Sequence, residues 1–357
     1  MRQVVRLALI IGLALVSLSC NLLGKVGVRT YLAEPFPETL SAWQLFKVER
    51  SKLNPNPGVV PYDLNTPLFS DYAEKSRHLW LPAGTSANYN ADDVFEFPVG
   101  TIITKTFAYP DEKNAGQHRL IETRVLVRGE KGWVGLPYVW NESQTDAKLE
   151  LVASPVPLSV KDPAGRPHQI NYQIPNANEC AQCHERNKVL TPLGPKARNL
   201  NRDYAYAEGA ANQLAHWAKL GYLKNAPAPN DAPKVPVWND PQSGSLEARA
   251  RAYLDNNCAH CHRSGAVAGY TAFWTEYTET DTRRLGYFKP PNSAGYTGGR
   301  PFDIVPGKPE HSILLYRMES TRPKEMMPEI GRAIVHQEGI ALVREWLASL
   351  PEDKAAK

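Results

Sequence analysis

Leu246-Glu-Ala-Arg-Ala-Arg-Ala-Tyr-Leu-Asp-Asn-Asn-Cys-Ala-His-Cys-His262 is the stretch on which the reading of the fold turns. Leu246, Ala250, Tyr253 and Leu254 recur at helical spacing, so one apolar stripe runs directly into Cys258. The stretch ends in Cys-x-x-Cys-His, and the same pattern stands earlier as Cys180-Ala-Gln-Cys-His184. The chain has five cysteines, and four of them belong to these two segments. Two thiols three residues apart share a helix face. That spacing suits two thioether bonds to one porphyrin edge, and the next histidine is placed to bind the iron. The pattern therefore predicts two covalently attached haem c groups. Cys180, Cys183, Cys258 and Cys261 are the attachment residues, and His184 and His262 the proximal iron ligands.

Other uses of the cysteines explain less. A four-cysteine zinc site would take one Cys-x-x-Cys pair from each segment but gives no reason for a histidine after both. A thioredoxin-like redox pair needs a βαβ setting, and none is visible. A disulfide likewise leaves the two histidines without a role.

Residues 1–20 have the form of an export signal. Arg2 and Arg6 precede an apolar run, Leu7–Leu18, and Ser19 stands before the fifth cysteine, Cys20. Val-Ser-Leu-Ser-Cys20 is similar to a bacterial lipobox, with Ser17 where leucine is preferred. The expectation is a lipidated Cys20 holding an exported, periplasm-facing protein to a bacterial membrane, with the outer membrane favoured. An ordinary signal peptide and an uncleaved anchor are the rival readings. The formal net charge is +4, two of the arginines leave with the leader, and no Lys/Arg run is present, so nucleic acid is not an expected partner.

The rest of the chain divides by texture. Residues 21–175 form a β-rich N-terminal domain, a sandwich or small barrel. Arg77–Leu81, Thr101–Phe107, Arg119–Arg128, Trp133–Trp140 and Leu149–Val152 are its strands. Arg128-Gly-Glu-Lys-Gly-Trp133 and Asp162-Pro-Ala-Gly165 read as its turns. A short helix near Thr39–Phe46 precedes these strands. Residues 176–224 are a first haem module with a helix over Tyr206–Leu220. Residues 225–244 are a proline-rich linker, expected to be stiff and extended. Residues 245–351 are a second haem domain closed by a helix over Ile340–Leu350. The predicted fold class is α+β multidomain, with mainly α-helical cytochrome c-like modules following the β-rich domain.

The order of motif, loop, Met327-Pro328 and terminal helix resembles class I cytochrome c over Ser245–Leu350. That resemblance implies Met327 as the sixth ligand of the second haem. Met326 is its competitor, and Met318 is read as a core residue. The first haem has no methionine before the second motif. Its candidates are His216 and His168, then His78 and His118, or an open position. His260 is read as a spacer pointing off the haem, and His311 and His336 as solvent-facing.

Further segments carry a wider resemblance. They are Pro67-Leu-Phe-Ser-Asp-Tyr-Ala-Glu-Lys-Ser-Arg77, Phe97-Pro-Val-Gly-Thr101, Ile121-Glu-Thr-Arg124, Tyr138-Val-Trp-Asn141, Asp146-Ala147, Leu193-Gly-Pro195 and Asn212-Gln213. With both haem motifs, they resemble a family of predicted bacterial di-haem c-type cytochrome lipoproteins of unassigned role. The resemblance implies a periplasm-facing electron carrier and supplies no substrate. For Asp71, Glu74, Glu122, Arg124 and Asp146 the expectation is structural hydrogen bonding.

The functional expectation is electron transfer in the cell envelope to or from a redox partner protein, with no enzyme activity. One alternative is a peroxidase-like haem enzyme using an open first haem. Another is a redox arm for a glycan- or protein-binding β module, with Trp80, Trp133, Tyr138 and Trp140 on its binding face.

Overall fold

The computed structural model describes residues 27–352 except 153, 293 and 294. The export signal and Cys20 lie outside the described residues. After a 3₁₀ turn at Leu40–Trp43 come β1 (Phe46–Glu49) and β2 (Lys52–Pro55), which pair as a hairpin. The main sheet has six strands in sequential order: β3 (Val60–Tyr62), β4 (Glu74–Trp80), β5 (Ile102–Pro110), β6 (His118–Gly129), β7 (Gly132–Trp140) and β8 (Ala147–Leu149). Every neighbouring pair is antiparallel.

β-Branched residues on alternate positions explain the two long central strands. Ile102, Val125 and Val127 enter one core with Trp43 and Tyr138, whereas Leu79 and Ile103 enter another with Leu214 and Trp217. Glu130 and Lys131 form the two-residue loop that pairs Gly129 with Gly132. The edge strands β3 and β8 do not pair with each other, so the sheet is an open meander rather than a barrel. A separate hairpin, β9 (Ser154–Lys161) and β10 (Pro167–Ile174), turns at Asp162–Arg166. It packs Leu158, Val160, Ile170 and Tyr172 against Phe107, Tyr109 and Ile121.

Six short helices follow: α1 (Ala177–His184), α2 (Ala197–Leu200), α3 (Gln213–Lys219), α4 (Leu246–Asn257), α5 (Ile313–Glu319) and α6 (Gln337–Ser349). Among the described residues, strand accounts for 28% and helix for 19%. The expectation of mainly α-helical haem modules is therefore wrong, and the protein is β-rich. Two local causes are visible. The helix expected over Tyr206–Leu220 is half hairpin, with Asp203–Tyr206 pairing Gly209–Asn212 around Gly209 at φ +122°. Asn212 then caps a seven-residue helix by accepting from Leu214 N–H at 3.0 Å. Between α4 and α5, the described residues of 258–312 form turns, isolated bridges and two 3₁₀ turns. Pro290, Pro291, Pro301, Pro306 and Pro309, with Gly295, Gly298 and Gly299, deny that stretch a helical backbone.

The second motif's helix does pack as its apolar stripe dictates. Ala250, Tyr253 and Leu254 of α4 meet Leu314 and Leu315 of α5 and Ile340, Val343 and Leu347 of α6. The proline-rich stretch 225–244 is held against the body. Asn201 donates to the carbonyls of Pro229 and Ala232, Thr66 donates to that of Pro236, and Val235 is fully buried.

Candidate haem-attachment centre

Pro175 and Asn176 start α1, the helix that carries the first motif. Asn176 accepts from Glu179 N–H, and the Glu179 carboxylate accepts from Asn176 N–H, a complete capping box. The helix presents Cys180 and Cys183 one turn apart and ends at His184. Gly135 of β7 lies against Cys180; a methyl group there would sit 3.6 Å from Cys180 Cβ. His184 Nδ1 is 2.8 Å from the Thr191 carbonyl. A carbonyl can only accept, so Nδ1 carries the proton and Nε2 is left as a lone-pair donor. Burial holds the ring neutral, with its pKa lowered to about 4.

Cys180, Cys183 and His184 line a cavity of about 280 Å³. That is close to the low end for ligand-binding cavities, roughly 300 Å³. Its far walls are the sheet, the segment 326–333, and Asp255, His260 and Arg263 from around the second motif. Arg77, Lys105 and Arg124 stand opposite one another on β4, β5 and β6 and all reach this cavity. Arg77 pairs with Asp63 at 2.7 Å, and Arg124 holds Glu122 bidentately at 2.6 and 2.9 Å.

The second motif is set differently. Cys258 caps α4 and packs, half-buried, against the α4–α5–α6 core, and burial pushes its thiol up to about 12. His262 stands edge-on to Phe273, with ring centres 5.2 Å apart. Its Nδ1 is buried without a hydrogen-bond partner, an arrangement that costs on the order of 1–3 kcal/mol unless a bound group satisfies it. Both motifs thus offer what a covalently held haem requires: two thiols one turn apart, and a neutral imidazole with a nitrogen uncommitted or unsatisfied.

The two motifs meet. Cys183 Sγ, Cys261 Sγ and an imidazole nitrogen of His260 all lie within 4.8 Å of one another. The Cys261 thiol donates to the Gln182 carbonyl at 3.6 Å, and the neighbouring Cys261 and His260 pull the Cys183 thiol down. His260, read from the sequence as a spacer, is a member of this junction. Cys180 and Cys258 are not, so the four thiols do not assemble as a Cys₄ zinc site.

The methionine segment is pinned from two sides. Arg332 donates to the carbonyls of Ser320, Met327, Met318 and Ile334 at 2.8–3.2 Å. Asp71 accepts from the backbone N–H groups of Ala333 and Ile334 at 2.8–3.0 Å. Met326 and Pro328 line the cavity of the first motif and Met327 does not. Adjacency in sequence concealed this, because consecutive residues point in different directions.

The other candidates lie elsewhere. His216 stacks on Tyr206 at 3.6 Å, His168 meets Asp162 at 3.2 Å, and His118 pairs with Glu74 at 2.8 Å. His78 packs edge-on to Phe46. None of the four lines the cavity. His311 is exposed beside Glu310. His336 is not solvent-facing; it stacks on Phe69 at 4.1 Å and bonds the Tyr253 hydroxyl at 2.9 Å. The four aromatics of the imagined binding face belong to the packing. Tyr138 and Trp140 are buried and hydrogen-bonded to Pro37 and Thr123, and Trp80 and Trp133 pack on the cores. Asp146 accepts from Ser41, and Glu122 from the Tyr172 hydroxyl. No described helix is long and apolar enough to cross a membrane. No family model, curated protein or solved structure matches the chain.

Proposed function

We propose that the protein is a di-haem c-type electron carrier that works with a redox partner protein. The observation that carries this reading is the junction of the motifs: Cys183 and Cys261, the second thiol of each, approach within 4.8 Å. Thiols this close bring the two attachment points together, which is what a relay between two redox groups requires. Each iron, when bound, would accept and release one electron. The chain's own residues do the rest. His184 and His262 supply imidazole nitrogens, and the Thr191 carbonyl orients His184. Met326 is the thioether that faces the first motif's cavity, and Met327 stays the proposed ligand for the second. Export, and anchoring through a lipid on Cys20, belong to the same proposal.

Expression with a haem-attachment system tests it. The mature chain should carry the mass of two covalent haems and titrate in two one-electron steps. A chain without covalent haem sinks the reading. A single observation favours a rival, since Cys183, His260 and Cys261 are three donors suited to one zinc ion. Stoichiometric zinc in a haem-free isolate, lost on Cys261→Ser, would establish that rival.

A further inference from the structure

The cavity of the first motif is lined by two lysines whose ammonium groups make no ion pair within 4 Å and no hydrogen bond among the described residues. Lys105 extends from the middle of the cation row, directly opposite Arg77 on one side and Arg124 on the other. Like charges facing across strands repel. The arginines are offset by Asp63 and Glu122, but Lys105 has neither ion pair nor hydrogen bond among the described residues; its ammonium rests over the Phe107 ring at 4.6 Å. Lys196, 6% exposed, likewise has no side-chain partner among the described residues and lines the same cavity. Burial pulls both ammonium groups below their ordinary pKa. A cation drawn out of water without a partner is costly, and here the half-buried Lys105 and the buried Lys196 face one space. Of the four acids on that space, Asp71 holds two backbone N–H groups, Asp255 holds Arg198, Glu179 holds the Asn176 N–H and the exposed Glu329 lies 4.0 Å from Arg317.

We propose that Lys105 and Lys196 receive the two carboxylates of the porphyrin attached at Cys180 and Cys183. This rests on the first motif carrying a haem. That group brings two carboxylates into the cavity whatever else it does, and two unpaired ammonium groups match them in number and sign. A free carboxylate is the same chemistry from another source.

The test compares wild type with Lys105→Met, Lys196→Met and Lys105→Arg in full-length protein, with and without the first haem (Cys180→Ala with Cys183→Ala). In haem-loaded protein, loss of either ammonium should lower both the midpoint potential of the first haem and the melting temperature, because a positive charge beside the iron favours its reduced state. Lys105→Arg should retain both. In the haem-free chain the sign should reverse, with Lys105→Met raising the melting temperature. If the haem-free chain does not fold, the potential alone decides. Unchanged potential in both methionine variants of haem-loaded protein overturns the proposal. So does succinate binding to loaded wild type that Lys105→Met abolishes, since the lysines would then serve a free anion. A wild-type mass lacking haem at Cys180 refutes the functional reading instead.

Discussion

The two Cys-x-x-Cys-His segments share a pentapeptide pattern and little else. The first sits on an eight-residue helix, against the sheet and beside a cavity edged by cations. The second ends a twelve-residue helix inside an apolar core of three helices. The pattern fixes which bonds can form, and the surroundings fix the charge and dielectric those bonds experience. The sharpest way to break the comparison is to remove each thiol pair in turn. Cys180→Ala with Cys183→Ala should leave one covalent haem with the core of α4, α5 and α6 intact. Cys258→Ala with Cys261→Ala should also leave one, with a larger fall in melting temperature, because its attachment point is part of that core. Mass spectrometry counts the haems and circular dichroism follows the melt; equal falls would remove the distinction.

The next largest effect concerns the residue that joins the regions. Arg332, 8% exposed, satisfies carbonyls at Met318, Ser320, Met327 and Ile334. Arg332→Leu leaves these acceptors buried, at an expected cost of about 3 kcal/mol. Denaturant titration measures it. Because Met326 and Met327 lie on the same segment, spectra of both haems should change together, whereas Met326→Ala alone should alter only the first.

What the sequence disclosed follows the range of the interactions involved. The turn at Glu130–Lys131, the strands around it and the stripe of α4 were legible because they rest on neighbours in sequence. The mainly helical character expected of the modules failed because apolar periodicity around Tyr206–Leu220 coexists with Gly209 and the Asn212 cap, which end a strand pair and begin a short helix. The junction of Cys183, His260 and Cys261 was hidden, since 78 residues separate the two cysteines and only the packed sheet, cavity and α4 bring them together. The unpaired state of Lys105 was hidden too. It depends on the register of β4, β5 and β6, not on any motif.

Smaller effects come from one histidine in each region. Burial lowers the pKa of both His78, on β4 of the sheet, and His336, beside α6, from 6.5 to about 4. Both are neutral when folded, while the unfolded chain takes up protons near pH 6.5. Their stabilisation is therefore complete above that pH and is lost as pH falls toward 4, at up to about 1.4 kcal/mol per pH unit for each proton. His78→Phe and His336→Phe should each flatten part of that slope in melts between pH 7 and 4. A slope unchanged in both variants would mean that neither ring is desolvated as the packing implies.

The smallest effect probes the wall of the first centre. At Gly135 an added methyl group would meet Leu126 Cδ2 at 3.5 Å, Cys180 Cβ at 3.6 Å and Cys180 Sγ at 3.8 Å, all ordinary contacts. The backbone there is regular strand, so Gly135→Ala should change stability by less than about 1 kcal/mol and leave both haems attached. Gly135→Leu extends the same direction by three carbons, onto the thiol proposed to bond the porphyrin, and should halve the haem content by emptying the first centre alone. Among the described residues no glycine is recorded against Cys258 or Cys261, so haem loss at the second centre on Gly135→Leu would show that the centres fill in sequence rather than independently.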